Sequence, residues 1–463
     1  MDFDPVFLAR LQFAFTIIFH IIFPSFTIGL AAYIATLGAL WLKRGEERHL
    51  TLMRFWTRIF AVSFGMGVVS GIVMSYQFGT NWSRFSVMAG NIVGPLMGYE
   101  VLSAFFLEAT FLGVLLFGFN RVPRSIYVLS AIVVAIGTLS SAFWILSANS
   151  WMQTPAGHEM QNGVAMPLDW LKIIFNPSFP YRLAHMVNAA FLTTGFVVLA
   201  VGARYVLGGR FVEEGRTSVR MAIALLSVLA PLQLIIGDQH GLNTLEHQPI
   251  KVAAMEAHWD GSKPADFHIF AWPDEANGIN KFEISIPRGA SLILTHKVDG
   301  LFPGLNSVPP QDRPPVKAVF FGFRIMLAIG FFMIGASLFG ALLWWRRSLF
   351  ETRWFLHILA HSWWTGFVAV ICGWVVTESG RQPWLVYGIL RTADATSPVP
   401  GASILSTLVL FVLCYGVVFA AGIYYINRLI AHGPRRSTQT TPEPSPAHPL
   451  AGARAAGREA INK

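Results

Sequence analysis

The chain has 463 residues, 54% of them hydrophobic and only 13% charged, with a formal net charge of +9. That composition excludes a soluble enzyme and a disordered chain, and it points to a polytopic membrane protein. The basic surplus falls mostly in alternate loops, so it reports topology and excludes a nucleic-acid partner as its cause. Thirty-eight Phe and fifteen Trp suit lipid-facing helices with aromatic belts. The two cysteines, Cys372 and Cys414, lie inside apolar runs. They read as core filler, with no disulfide framework or cysteine metal site implied.

In chain order, the opening MDFDPVFLAR lacks a basic n-region, and the apolar run after it is too long for a signal peptide. A retained first helix is expected. Nine segments can span a bilayer, at about 11–42, 52–78, 94–119, 125–149, 183–207, 219–237, 317–345, 354–378 and 402–430. The fold class expected is therefore an all-α polytopic membrane protein with nine transmembrane helices. Lys43, Arg44 and Arg48 follow the first segment, Arg121 and Arg124 the third, and Arg204, Arg210, Arg216 and Arg220 surround the end of the fifth. Arg346, Arg347 and Arg353 follow the seventh, and Arg435 and Arg436 the ninth. The positive-inside rule then puts the N-terminus outside and the C-terminus in the cytoplasm, the parity that nine spans require.

The first segment is longer than a straight span needs, so it should tilt or protrude. The second carries Gly67-xxx-Gly71, which permits close helix packing. Four regions are expected: helices one to six over 1–237, an outer loop over 238–316, helices seven to nine over 317–433, and a tail over 434–463. A loop of that size is usually functional, and the Ser-, Thr- and Pro-rich tail is expected to be disordered.

Six ionisable residues stand at membrane depth: His20, Glu100, Glu108, His185, Arg324 and Glu378. Each could be a satisfied core group or a solvated helix end. Topology, however, gathers most of them toward the outer half of the bilayer, and charges there mark functional sites. Glu100 and Glu108 are eight residues apart, which leaves them about 80° apart around one helix and so on one side of it. They form a ladder about 12 Å long. A His and a Met at one depth, His185 and Met326, suit a six-coordinate low-spin haem, whereas a His without a strong partner suits a five-coordinate one. His240, His247, His258, His268 and His296 are assigned to the outer loop. His357 and His361, an i, i+4 pair near the opposite end, read as structural.

Gly373-Trp374-Val375-Val376-Thr377-Glu378-Ser379-Gly380-Arg381-Gln382-Pro383-Trp384 resembles the GWxxxExGRQPW signature of cytochrome bd-type quinol oxidase, subunit I. Further segments match it in order and spacing: Gln77–Trp82, Gly94-Pro95-Leu96 before Glu100, Asn149–Pro155, and Arg324-Ile325-Met326. The resemblance covers nearly the whole nine-helix region and is to the form with a short quinol loop, which includes the cyanide-insensitive branch. It implies a terminal oxidase of the bacterial inner membrane that oxidises quinol on the periplasmic side. Dioxygen would be reduced to water with cytoplasmic protons, building a membrane potential.

The resemblance further implies three haems toward the periplasmic side: b558, b595, and d or a third haem b. His185 and Met326 would ligate haem b558, with Arg324 beside it. His20 and Glu378 would ligate the high-spin pair b595 and d, with Glu100 at the same site as ligand or proton donor. Trp374 would lie on the electron path, and Glu108 and Ser141 on a proton route. Lys251 and Glu256 would serve the quinol, and Arg381, Gln382 and Trp384 would wall the haem propionates or the quinol loop. The partners implied are an integral membrane subunit II, a small accessory subunit in some members, quinol, dioxygen and lipid. Two rivals stay open on the residues alone. One is a b-type cytochrome that takes electrons from quinol without reducing oxygen; the other is a secondary transporter, which predicts broken helices in paired repeats.

Overall fold

The computed structural model describes residues 4–434. Nine helices among them are long and apolar enough to cross a membrane. They are α1 (Pro5–Arg44), α2 (Glu47–Thr80), α3 (Ser83–Phe117), α4 (Arg124–Gln153), α5 (Phe179–Leu207), α6 (Val212–His247), α7 (Val316–Trp345), α8 (Arg353–Ser379) and α9 (Gly401–His432). The all-α membrane fold expected from the sequence is the one observed. The expected tail lies outside the described residues from position 435 onward.

Local chemistry sets the helix ends. Asp4 caps α1 by accepting from the Val6 N–H at 2.9 Å, with Pro5 in the first turn, and Gly45 closes the helix at φ +69°. At 40 residues, α1 is roughly 60 Å long, about twice a bilayer core, longer than a straight span needs. The polar stretches Ser83–Val93 and Asp238–His247 continue α3 and α6 as helix, although composition alone assigns them to loops. His240 and His247 therefore lie on α6. Inside α3, Val101–Phe105 forms a π turn, and inside α8, Ser362–Trp364 forms a 3₁₀ turn.

Successive helices alternate in direction, which gives the bundle two unlike ends. Arg204 Nε donates to the Ala360 carbonyl at 3.1 Å and the Tyr205 hydroxyl to that of Ile430 at 2.7 Å, tying α5, α8 and α9 at the end rich in arginine. The main apolar core fills this half, with Leu30, Leu37, Met53, Trp56, Phe60, Phe196, Leu199, Ile223, Leu226 and Leu359 fully buried. Most of α5's apolar stretch, 72%, is buried, against 17% for α9. α5 is thus the central helix, packed on α1, α4, α6 and α8, and α9 is peripheral. Cys414 on α9 is exposed, so it faces outward and is not the core filler expected.

The opposite end carries the connections with structure of their own. Hairpin His158–Gln161/Val164–Pro167 follows α4. Between α6 and α7 come the short helix Pro249–Glu256, the antiparallel hairpin Phe267–Asp274/Ile279–Ile286 and the helix Gly289–Thr295. This is the end on which the candidate residues converge.

Candidate active site

Glu378 closes α8 and lies in a polar nest built mostly by α4. Asn149 Nδ2 donates to its Oε1 at 3.0 Å, Gln153 Nε2 at 3.4 Å, and Arg381 forms an ion pair with its Oε2. Gln153 is fully buried, and its Oε1 accepts from Lys251 Nζ at 2.7 Å. One amide thus joins the loop lysine to the α8 carboxylate. A Cβ at Gly380 would stand 2.7 Å from Lys251 Cγ, so the glycine of the signature makes room for the lysine stem. Arg182, in the first turn of α5, adds a third cation to the field at Glu378, beside those of Arg381 and Lys251.

These cations outnumber their counter-charges. Arg182, Lys251 and Arg381 are 6%, 3% and 3% exposed, and Glu378 is the one carboxylate that faces them among the described residues. Arg381 Nε and Nη1 are sealed from solvent without a partner. Burial holds the Lys251 ammonium well below its ordinary pKa, and Arg182 and Arg381 add to this. Burial lowers Arg381 as well, opposed by Glu378. An uncompensated buried cation costs several kcal/mol, so the cluster is built for anions beyond Glu378.

His20 Nδ1 lies 2.9 Å from Ser70 Oγ on α2. The Gly67-xxx-Gly71 motif makes that approach possible: Cβ atoms at Gly67 and Gly71 would stand 3.2 Å from Phe23 Cβ and from His20 Cε1. Glu100 accepts from Ser141 Oγ at 2.7 Å. Glu108 is buried, its Oε1 lacks a partner, and a Cβ at Gly137 would stand 2.7 Å from its Cγ. Gly137 and Ser141 are one turn apart on α4, so both glutamates face one stripe of it. The π turn between them brings this about, because its wider step cancels most of the 80° expected from a regular helix.

His185 on α5 meets the ring of His240 on α6 edge to face, centroids 5.3 Å apart. Its Nδ1 is buried without a hydrogen bond. Met326 lies against α8, where a Cβ at Gly373 would stand 3.0 Å from its Sδ. Arg324, two residues earlier and so on the other side of α7, pairs with Glu256 at 2.7 Å and donates to the His268 carbonyl. The rings of Phe267, Phe320 and Phe323 surround its guanidinium at 4.5, 4.7 and 5.3 Å. Trp374 follows Gly373 and is half-buried. Gln382 accepts from Thr392 Oγ1 at 2.9 Å, and Arg391 lies 4.8 Å over the Trp384 ring. These two residues brace the turn after α8.

Glu378, Arg381, Lys251, Glu256 and Arg324 thus meet at the end that carries the structured connections, whereas Glu108 lies deeper, beside Leu112 of the apolar core. Two differ from expectation: Lys251 and Glu256 are 3% and 4% exposed and point inward, away from the outer surface. The sequence reading missed Arg182, Gln153, Ser70 and His240. An arginine in the first turn of a membrane helix was a visible signal for Arg182. Nothing in the spacing marked Ser70, and His240 was lost by ending α6 too early. As donors, His185 with Met326, and His20 with Glu378, can hold haem iron. The surplus cations suit its two propionates.

The chain is similar to known proteins over nearly its whole length. The family model of cytochrome bd terminal oxidase subunit I matches residues 8–434. The chain is 35% identical to cytochrome bd ubiquinol oxidase subunit 1 of Bacillus subtilis, covering 92% of this chain and 93% of that one. It is 30% identical to cytochrome bd-II ubiquinol oxidase subunit 1 of Escherichia coli, covering 93% and 97%. It superposes on the bd oxidase of Geobacillus thermodenitrificans with a TM-score of 0.86 and 29% identity, over 94% of this chain and 100% of that one. The chain belongs to the cytochrome bd terminal oxidase subunit I family, haem-containing quinol oxidases of the respiratory chain.

Proposed function

We propose that this subunit takes electrons from quinol at the loop between α6 and α7 and delivers them to a dioxygen-reducing site between α1, α3, α4 and α8. The observation that carries the reading is the surplus of basic groups around Glu378, where three buried basic side chains face one carboxylate. Two carboxylates from a haem would complete it. His185 and Met326 would hold haem b558, and His20 and Glu378 would hold haem b595 and a haem d or third haem b. Bound haem supplies one-electron transfer at the first pair and dioxygen reduction at the second.

The chain's own residues do the rest. Glu256 and Lys251 flank the place where the quinol head group loses its protons. Both are turned from water toward α7 and α8, which suits a substrate arriving from the bilayer. Arg324 holds the loop to α7 through Glu256, and its Nη1 lacks a partner, leaving one donor for a haem carboxylate. Glu108, Ser141 and Glu100 line one stripe and carry protons from the arginine-rich, cytoplasmic end. Trp374 lies between the Met326 contact and Glu378 on α8, where an aromatic ring suits electron passage. Drawing protons from one side and releasing them on the other builds a membrane potential. An integral membrane subunit II completes the enzyme in the bacterial inner membrane; the names of the relatives as subunit 1 support this.

His185→Ala and Met326→Leu tests the assignment. Each is expected to remove the low-spin α-band from the reduced-minus-oxidised spectrum while the high-spin bands remain. An unchanged low-spin band in either variant refutes it.

A further inference from the structure

We infer that Ser70 is a positioning residue that sets the tautomer of His20 and strengthens it as a ligand; this rests on His20 being a haem ligand. Ser70 lies on α2, one residue before the glycine that lets the His20 ring approach. It is 1% exposed. Its hydroxyl is 3.0 Å from the Met66 carbonyl and 2.9 Å from that of Gly67. A serine hydroxyl has one proton, and both carbonyls are pure acceptors, so that proton is committed to the helix backbone. What Ser70 Oγ offers the imidazole at 2.9 Å is therefore a lone pair. Nδ1 must carry the hydrogen and donate it, and the lone pair of the neutral ring is left on Nε2.

Nε2 makes no hydrogen bond among the described residues, so the nitrogen left basic is also the one left free. Gly71 fixes the ring from the other side, since its missing side chain would lie 3.2 Å from Cε1. The ring is thus held by Ser70 and the Gly67 carbonyl on one side and by the close approach of Gly71 on the other before any metal arrives. The other imidazole differs: Nδ1 of His185 has no hydrogen-bond partner among the described residues. A donor hydrogen bond on the remote nitrogen raises ligand basicity, and losing such a partner typically costs about 10–100-fold in metal affinity or activity. The two ligand histidines should then differ in donor strength, His20 being the stronger.

The test compares Ser70→Ala, Ser70→Thr and His20→Ala in the intact oxidase. Readouts are the iron–imidazole stretching band of the reduced high-spin haems by resonance Raman, their midpoint potential, and haem retention. Ser70→Ala is expected to lower the stretching frequency, raise the potential, and weaken retention of that haem about 10-fold, with the low-spin spectrum intact. Ser70→Thr keeps the hydroxyl and is expected to restore both the frequency and the potential. If His20→Ala removes the band while Ser70→Ala leaves frequency and potential unchanged, the inference fails and the ligand assignment stands. If His20→Ala itself leaves the high-spin spectrum unchanged, the ligand assignment fails first. Loss of the low-spin signal together with the high-spin one in Ser70→Ala, unrelieved in Ser70→Thr, would assign Ser70 to packing and overturn the inference.

Discussion

Breaking the Glu256–Arg324 pair should cost far more than removing it whole. The two groups meet at 2.7 Å with side-chain exposures of 6% and 10%, so each is nearly desolvated. Removing one partner of such a pair leaves a buried charge and costs about 3–5 kcal/mol, whereas replacing both by apolar groups is often close to neutral. Arg324→Met should therefore destabilise strongly. It also forfeits the ring contacts with Phe267 and Phe320, each worth about 0.5–2 kcal/mol when desolvated. Glu256→Gln should cost somewhat less, because its amide can still accept from Arg324. The double variant should recover about 2 kcal/mol or more of the summed loss. Denaturant unfolding of the detergent-solubilised protein gives the three differences, and proteolysis of the 249–315 loop gives a local readout. A coupling below about 0.5 kcal/mol, the usual limit of additivity, would refute the claim that this pair bolts the loop to α7.

Other outcomes follow from clearance around the site. Gly137→Ala would put a methyl 2.7 Å from Glu108 Cγ, and turnover should fall about tenfold with haem content kept; normal turnover would detach Glu108 from the proton route. Glu108→Gln should slow turnover in the same way, as measured by quinol-driven oxygen uptake. Gly373→Ala crowds Met326 Sδ at 3.0 Å and should perturb the low-spin α-band while sparing the high-spin bands. Lys251→Met removes one of three buried cations and should lower haem content or raise its dissociation rate; full retention would contradict the charge argument.

The nine helices were legible because a bilayer demands long apolar runs, and the signature after α8 located Glu378 and Arg381. What stayed hidden depended on geometry that composition does not encode. Polar residues such as Asp238 and His240 read as loop, yet the helix continues through them because it projects beyond the apolar slab. The π turn at Val101–Phe105 changes which way Glu100 faces without altering hydropathy. Gln153 was visible inside a motif, but its role came only from the fold, which brings the α6–α7 loop down onto it. Lys251 and Glu256 were named by resemblance, but their burial was not legible, since a charged residue in a loop is ordinarily solvated.

The central place of α5 has a consequence for biosynthesis. Four helices must leave the ribosome before it, and the partners of its two ends arrive later still: α6 beside His185, and α8 beside Arg204. A nascent chain stalled before α7 has His185 but not Met326, and it has Arg182 but neither Glu378 nor Arg381. On the proposed assignment, a chain stalled before α7 therefore presents no finished pocket. On that assignment the full set of prosthetic groups can be held only once translation has passed the signature, which would keep half-built redox centres from leaking electrons to oxygen.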